Sequence, residues 1–168
     1  MELVFDIETD GLNPTVIWCM VAIDESGDVY KYYEDTLDEG IKLLQGADKI
    51  IGHNILGFDI PVIKKLKGID LYNPDKVIDT LVLSRLFNPT REGGHSISKW
   101  GYKLGLPKKD SPEWTCFNKE MLDYCEQDVV INNKLFNYLK KESIGFSKES
   151  INLEHEVTYL LEEQKRNG

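Results

Sequence analysis

The chain has 168 residues, of which 41% are hydrophobic and 29% charged, and it carries a formal net charge of −9. This length and composition are typical of one soluble globular domain with a sizeable core. The acidic charge speaks against a protein that grips duplex nucleic acid unaided, because such proteins are basic. The acidic charge is compatible with an enzyme that binds only the end of a nucleic-acid strand at a metal site.

The cysteines and the termini indicate the compartment. Cys19, Cys116 and Cys125 are odd in number and form no C-x-x-C pair. This favours a reducing compartment and argues against disulfides and structural zinc. No apolar stretch approaches the ~20 residues of a membrane span, and the N-terminus lacks the basic region of a signal peptide. We therefore expect a cytoplasmic protein with no membrane partner.

The first part of the chain reads as a β-meander. Apolar runs predict strands at 2–7, 16–24 and 29–33, with turn compositions at 10–14 and 25–28 between them. Strands spaced this closely pair antiparallel. Helical spacing then predicts a helix over 35–45, with Gly46 as its stop.

Short strands and helices alternate in the rest of the chain. The predicted strands cover 49–53 and 76–78, and the predicted helices cover 58–66, 80–87, 96–103, 118–141 and 147–166. Residues 90–117 are otherwise irregular, since they are rich in glycine and proline. The pattern predicts an α/β fold with a mixed sheet, in which a three-strand antiparallel meander continues into parallel strands flanked by helices. The first strand should lie centrally.

A pair of acids follows the first apolar run. Asp6 and Glu8 are two positions apart, so on a strand they point to the same face. Two carboxylates this close repel, and at neutral pH one of them should hold a proton unless a divalent cation relieves the conflict. A solvated strand end is the alternative for an isolated pair of this kind.

Asp59 follows the predicted strand 49–53, where a helix begins. A carboxylate at a helix N-terminus is favoured by free backbone N–H groups, so a helix cap is the alternative to a metal ligand. Asn54 and Phe58 precede it in the same turn.

The long helix carries Tyr124 and Asp128, four residues apart and therefore on one face. Asp128 adjoins a buried stripe and needs a partner, yet no residue three or four positions away is basic. A cation would supply that partner, and an exposed acid at the edge of an amphipathic helix is the alternative.

Taken together, the motifs Asp6-x-Glu8, Asn54-x-x-x-Phe58-Asp59 and Tyr124-x-x-x-Asp128 resemble the three motifs of the DEDD superfamily of 3′–5′ exonucleases. The tyrosine four positions before the last acid matches the tyrosine branch. Segments 6–12, 77–86, 100–105 and 127–130 further resemble the proofreading domains of phage-type family A DNA polymerases.

The resemblance implies a ribonuclease-H-like fold and a two-metal exonuclease. It implies that Asp6 bridges two Mg²⁺ ions, replaceable by Mn²⁺, with Glu8 and Asp128 at the first ion and Asp59 at the second. Tyr124 would orient the attacking water. The five catalytic residues implied are Asp6, Glu8, Asp59, Tyr124 and Asp128.

The resemblance also implies contacts to the terminal nucleotide. Leu12 would wedge against the last base, backbone near Thr9 would reach the 3′-hydroxyl, and Asn54 and Phe58 would shape the site. For Leu12 and Phe58 a structural role at the edge of the core is the alternative, and Asn54 could simply satisfy turn backbone.

Other polar residues are expected to be secondary. His53 could satisfy turn backbone, and His95 and His155 are treated as structural, with His155 on a helix surface. The lysine clusters 64–67 and 108–109 could touch phosphates or be solvated, and Tyr102 and Trp114 are further candidates for base stacking.

The resemblance divides the chain into an exonuclease domain, 1–145, and a C-terminal helix, 146–168, leading toward a polymerase domain that these residues do not contain. The chain would be an excised domain or a separate subunit, acting on single-stranded or frayed DNA 3′ ends with a polymerase partner in cis or in trans. An exoribonuclease of the same superfamily and a catalytically silent platform for a polymerase are the alternatives.

Overall fold

A computed structural model describes all residues 1–168. It contains five strands, six α-helices and a 3-10 turn at Glu34–Thr36. In chain order the elements are β1 (Glu2–Thr9), β2 (Ile17–Asp24), β3 (Val29–Tyr33), α1 (Leu37–Gly46), β4 (Lys49–Gly52), α2 (Asp59–Lys67), β5 (Val77–Asp79), α3 (Thr80–Phe87), α4 (Ile97–Lys103), α5 (Lys119–Glu142) and α6 (Lys148–Asn167).

The strands form one mixed sheet in the order β3-β2-β1-β4-β5. The meander β1-β2-β3 is antiparallel, whereas β4 and β5 continue the sheet in parallel with β1. The predicted α/β class, the mixed sheet and the central position of the first strand are therefore confirmed. Because β1 is central, any side chain at its carboxyl end has neighbours from both halves of the sheet.

Helices cover both faces of β1, which is why its apolar run is nearly continuous. Leu3, Phe5 and Ile7 face a core built with α1 and α2. Val4 faces a second core, built with α5 around Met121, Cys125 and Val129 and with α4 around Trp100. Since strand side chains alternate, Asp6 and Glu8 continue the face of Val4 and point toward α5.

Helix α5 positions the third acidic motif. It begins after Asn118, whose side chain caps it by accepting a hydrogen bond from the N–H of Met121 at 2.8 Å. Its buried stripe packs against β1 and β2. The predicted helix 118–141 and the observed helix agree to within one residue at each end.

Two local departures from the predicted elements have clear causes. Thr36 Oγ1 bonds both the N–H and the carbonyl of Tyr33, so a 3-10 turn forms and α1 starts at Leu37 rather than at residue 35. Strand β1 runs on to Thr9, and a bulge between Glu8 and Thr9 shifts its pairing with β2. Bulges of this kind re-aim side chains, and this one lies beside the acidic pair.

The C-terminal helix α6 packs against α3 and stacks Tyr159 on Tyr72, with ring centroids 3.5 Å apart. Its outer face leaves four apolar side chains exposed, namely Leu153, Val157, Leu160 and Leu161. None of the helices combines the length and the apolar character needed to cross a bilayer.

Candidate active site

Asp6 and Glu8 lie side by side near the carboxyl end of β1. Together with Cys125 of α5, each offers a potential ligand atom, and these atoms lie within 4.8 Å of one another. The Cys125 thiol donates to the backbone carbonyl of Asp6 at 3.4 Å and lies 3.8 Å from its Oδ2. Helix α5 is thus seated directly against the acidic pair.

Burial controls the protonation of this group. Burial, followed by the nearby charge of Asp128, raises the pKa of Asp6 to about 7. Burial and the neighbouring Asp6 raise the pKa of Glu8 to about 10. Burial also raises the pKa of the Cys125 thiol well above its usual range, so the sulfur stays protonated and acts as a donor. In a chain without bound cations, Glu8 therefore keeps its proton at neutral pH, whereas Asp6 titrates close to neutrality.

Asp59 approaches the pair from the other side of β1. It is the first residue of α2, is 3% exposed, and accepts a hydrogen bond through Oδ1 from the N–H of Ile7 at 3.3 Å. Burial, then the charge of Asp6, raises its pKa well above the usual range. The side chain contacts β1, so the helix-cap alternative does not describe this contact.

The turn that precedes Asp59 is held by Asp79, an acid that the sequence analysis did not predict to be functional. Asp79 is 1% exposed and accepts hydrogen bonds from the N–H groups of Asn54 (2.8 Å), Leu56 (3.1 Å) and Leu81 (2.9 Å). Asn54 adopts a left-handed backbone, with φ of 63°. A buried acid at a strand end, just before a predicted helix, was the available signal.

Asp128 faces the pair from α5 and is 8% exposed, so the alternative of an exposed acid is wrong. Its Oδ2 lies 2.6 Å from the Nζ of Lys108, whereas its Oδ1 is buried and has no hydrogen-bond partner. The predicted cation partner of this carboxylate is therefore a lysine in this structure. A lysine from the irregular segment, outside the helix, reaches it, and a search confined to helical neighbours could not detect that contact.

Tyr124 lies one helical turn before Asp128, between two residues of the irregular segment. Lys108 Nζ is 4.7 Å from the centre of its ring, and the Trp114 ring meets it edge-on at 5.6 Å. The carbonyl of Trp114 accepts a hydrogen bond from Trp18 of β2 at 3.0 Å. The segment therefore crosses the site in a fixed position.

A groove of about 340 Å³ opens beside Glu8. Leu12 is 96% exposed at its rim, which makes the core-edge alternative for this residue wrong. Thr9 is buried and donates through Oγ1 to the carbonyl of Gly11 at 2.9 Å, whereas Phe58 is half-buried against the core. Trp114 also lines the groove. Asn54 lines a different groove, with Asp79 and Arg85, so its predicted role at the nucleotide site remains a prediction.

The three histidines have structural partners. His155 is buried, not on the surface as expected, and its Nε2 accepts a hydrogen bond from the N–H of Asp79 at 2.9 Å. His53 lies 2.9 Å from the hydroxyl of Thr80, and burial lowers its pKa to about 4. His95 lies 2.8 Å from the hydroxyl of Ser84.

The lysine clusters divide between the surface and the site. Lys64 and Lys67 pair with the surface acids Asp70 and Asp38, each at 2.7 Å. Lys108 alone of these lysines contacts the acidic site. Tyr102 is 84% exposed on α4.

The donor set fits a divalent cation. Asp6 and Glu8 offer carboxylate oxygens within 4.8 Å, Asp128 presents a buried oxygen without a partner, and Asp59 is tied to the same strand. Hard cations prefer such oxygens and would relieve the mutual repulsion. Asp59 and Asp128 lie outside the 4.8 Å group, and their link to Asp6 is electrostatic.

The fold is that of known nucleases. Brucella melitensis NrnC, in structures bound to pGG and with bound Mg²⁺, matches with TM-scores of 0.78 and 0.74 at 20% and 18% identity. The matches cover 99% of this chain and 85% and 86% of those chains. The predicted ribonuclease-H-like fold class is thereby confirmed.

The relatives found by sequence similarity include two phage DNA polymerases. The DNA-directed DNA polymerases of Enterobacteria phage T3 and Escherichia phage T7 are each 29% identical, over 233 and 230 residues. Each match covers 99% of this chain, which spans about a third, 33%, of either polymerase. The predicted resemblance to phage-type DNA polymerases is confirmed. The chain matches no protein-family model.

Proposed function

We propose that the protein is a metal-dependent 3′–5′ exonuclease that removes nucleotides from single-stranded or frayed DNA ends. One observation carries the proposal: carboxyls from three separate elements, half-buried on β1 and buried on α2 and α5, surround the end of β1. Asp6 and Glu8 share its face toward α5, Asp128 acts electrostatically on both, and Asp59 bonds the strand between them. Burying this many acids together is costly for a purely structural purpose.

The residues fit two Mg²⁺ or Mn²⁺ ions. Asp6 would contact both ions, Glu8 and Asp128 would complete the first site, and Asp59 would hold the second. When bound, the ions would make the attacking water more acidic and would neutralise charge on the departing 3′ oxygen. The protein's part is to hold the four carboxylates in fixed positions.

Tyr124 would orient the attacking water through its hydroxyl. A phenolic hydroxyl is a poor proton acceptor at neutral pH, so positioning is the role that suits it. Lys108 and Trp114 hold its ring from two directions. The fixed ring gives the hydroxyl a defined direction one turn from Asp128.

The groove beside Glu8 would take the terminal nucleotide. Leu12 projects fully into solvent where it could wedge against the last base, and the backbone near Thr9 adjoins the acidic pair. Phe58 and Trp114 offer ring surface for the sugar and base, as stacking sites for single strands do. Asn54 would act from the turn that precedes Asp59.

The similarity to the T3 and T7 polymerases favours DNA over RNA and favours proofreading. A polymerase, in cis or in trans, would deliver the frayed 3′ end. The net charge of −9 is consistent with delivery of the DNA by a polymerase, since an acidic domain has little attraction for duplex DNA by itself.

Stepwise shortening of a 5′-labelled single-stranded DNA oligomer in Mg²⁺ or Mn²⁺ tests the proposal. The wild type should shorten the oligomer, and the Asp6→Asn, Glu8→Gln double variant should lose at least about a thousandfold in rate while remaining folded. Asp123→Asn, beside Tyr124 and without a hydrogen bond, is the matched control. Wild-type rates in the double variant would overturn the proposal, and a matched RNA oligomer decides between the two nucleic acids.

A further inference from the structure

Lys108 is a cation placed inside the acidic site. Its Nζ lies 2.6 Å from Asp128 Oδ2 and 4.7 Å from the centre of the Tyr124 ring. Its charge also acts on Asp6 and Glu8. One ammonium group therefore partly neutralises three of the acids proposed as metal ligands.

The backbone around Lys108 is anchored, so only its side chain is free to move. Gln127 donates to the carbonyl of Pro107 at 3.0 Å, and Lys134 donates to the carbonyl of Leu104 at 2.9 Å. Both donors belong to α5, the helix that carries Asp128. The segment that carries Lys108 is thus held against the same helix that carries its partner, Asp128.

A divalent ion bound at Asp128 would be repelled by the ammonium group of Lys108 in its present position. Like charges ~4 Å apart repel strongly at the effective dielectric of a protein site, and a divalent ion doubles the effect. The ion also needs the carboxylate oxygens at ~2.0–2.1 Å. Binding of the ion therefore favours movement of the ammonium away from Asp128.

We propose that Lys108 exchanges partners: it neutralises Asp128 in the metal-free protein, leaves it when a divalent ion binds, and then contacts the phosphate at the scissile bond. The inference rests on the proposed function, since it takes the phosphodiester as substrate. Tyr124 marks where the attacking water and that phosphate meet, and the ammonium already lies over its ring. No bond forms or breaks, and the lysine keeps its proton throughout.

The exchange predicts opposite effects of one substitution. Lys108→Met keeps the length of the side chain and removes the charge. Without the competing ammonium, Mn²⁺ should bind about tenfold more tightly in the absence of DNA, measured by isothermal titration calorimetry. In saturating Mn²⁺, the same variant should cleave DNA about a hundredfold more slowly, because a cation at the phosphate is missing.

Lys109→Met is the matched control, because Lys109 is exposed and has no ion pair, and it should behave as the wild type in both measurements. Lys108→Gln provides a second uncharged variant if Lys108→Met does not fold. A lysine with a merely structural role would lower metal affinity together with stability. Equal or weaker Mn²⁺ binding by the folded variant would overturn the exchange.

The outcome is separable from that of the proposed function. If the wild type shortens DNA but Lys108→Met leaves Mn²⁺ affinity unchanged, the exchange fails and the exonuclease stands. If the wild type neither binds Mn²⁺ nor shortens DNA, the proposed function fails, and the exchange fails with it.

Discussion

Asp59 Oδ1 accepts a hydrogen bond from the N–H of Ile7, the residue that separates Asp6 from Glu8. This bond ties the start of α2 to the strand that carries the acidic pair. Asp59→Asn keeps the accepting oxygen and removes the charge. We expect the free energy of unfolding to change by less than about 1 kcal/mol, because burial raises the pKa of Asp59 and so favours its neutral form, which the amide resembles.

The same Asp59→Asn variant should bind Mn²⁺ about tenfold more weakly and lose at least about a hundredfold in exonuclease rate. Calorimetry and the DNA-shortening assay measure the two effects, and urea denaturation checks stability. Asp123→Asn serves again as the control. A fully active variant would remove Asp59 from the metal site.

Tyr124→Phe removes the hydroxyl and keeps the ring, so it tests the role of the hydroxyl alone. The ring contacts with Lys108 and Trp114 remain, so stability should change by less than about 1 kcal/mol. The catalytic rate should fall about ten- to hundredfold, because the attacking water loses its orienting partner. Single-turnover kinetics at saturating Mn²⁺ measure the chemical step, and an unchanged rate would show that the hydroxyl has no part in it.

Leu12→Ala tests the proposed wedge at the nucleotide groove. Leu12 is 96% exposed, so its truncation should leave the free energy of unfolding within about 0.5 kcal/mol of the wild type. The KM for single-stranded DNA should rise about fivefold or more, since base contact is lost. Leu160→Ala, an exposed leucine on α6, is the control and should leave KM unaltered.

The raised pKa values give the metal-free protein a defined pH dependence. Asp6, with a pKa of about 7, and Glu8, with a pKa of about 10, hold protons in the folded state that the unfolded chain has already released. Stability should therefore fall as pH rises from about 4 to about 7, and further above it. Thermal melting in EDTA measures this slope.

Divalent ions should reverse that slope. Mn²⁺ displaces the carboxyl protons, so its affinity and the melting temperature it adds should both increase from about pH 5 to about pH 8. The Asp6→Asn, Glu8→Gln variant should melt with a flatter pH profile and respond little to Mn²⁺. A metal-free wild type whose stability rises over this range would contradict the protonation assigned to the pair.

Asp79→Ala tests the buried acid that holds the turn before α2. Three backbone N–H groups lose their acceptor, and we expect a loss of about 3 kcal/mol in the free energy of unfolding. Because the turn delivers Asp59, Mn²⁺ affinity of the folded fraction should fall as well. Asp75→Ala, at an exposed position just before β5, should cost less than about 0.5 kcal/mol in the same urea titration.

The regular elements were predictable because their apolar periodicities are strong and their ends are marked by caps, glycine or proline. The alternation in β1 also placed Asp6 and Glu8 on one face of the strand, and the spacing in α5 placed Tyr124 and Asp128 on one face of the helix; that the two elements face each other was implied only by the family resemblance. Contacts between distant segments were not predictable. Lys108 reaches Asp128 from an irregular segment, and His155 reaches the N–H of Asp79 across 76 residues. Hydrophobic periodicity does not report either contact, since each depends on how whole helices and segments pack against one another.

Asp6 and Glu8 lie on the first strand and Asp128 on the second-last helix, and Cys125 contacts Asp6 across 119 residues of chain. Contacts so distant in sequence form late, because the intervening segments must first be ordered. A chain emerging from the ribosome would therefore have no assembled cleavage centre until α5 is synthesised and seated on the sheet. The proposed capacity to cut nucleic acid would therefore arise only with the finished tertiary structure.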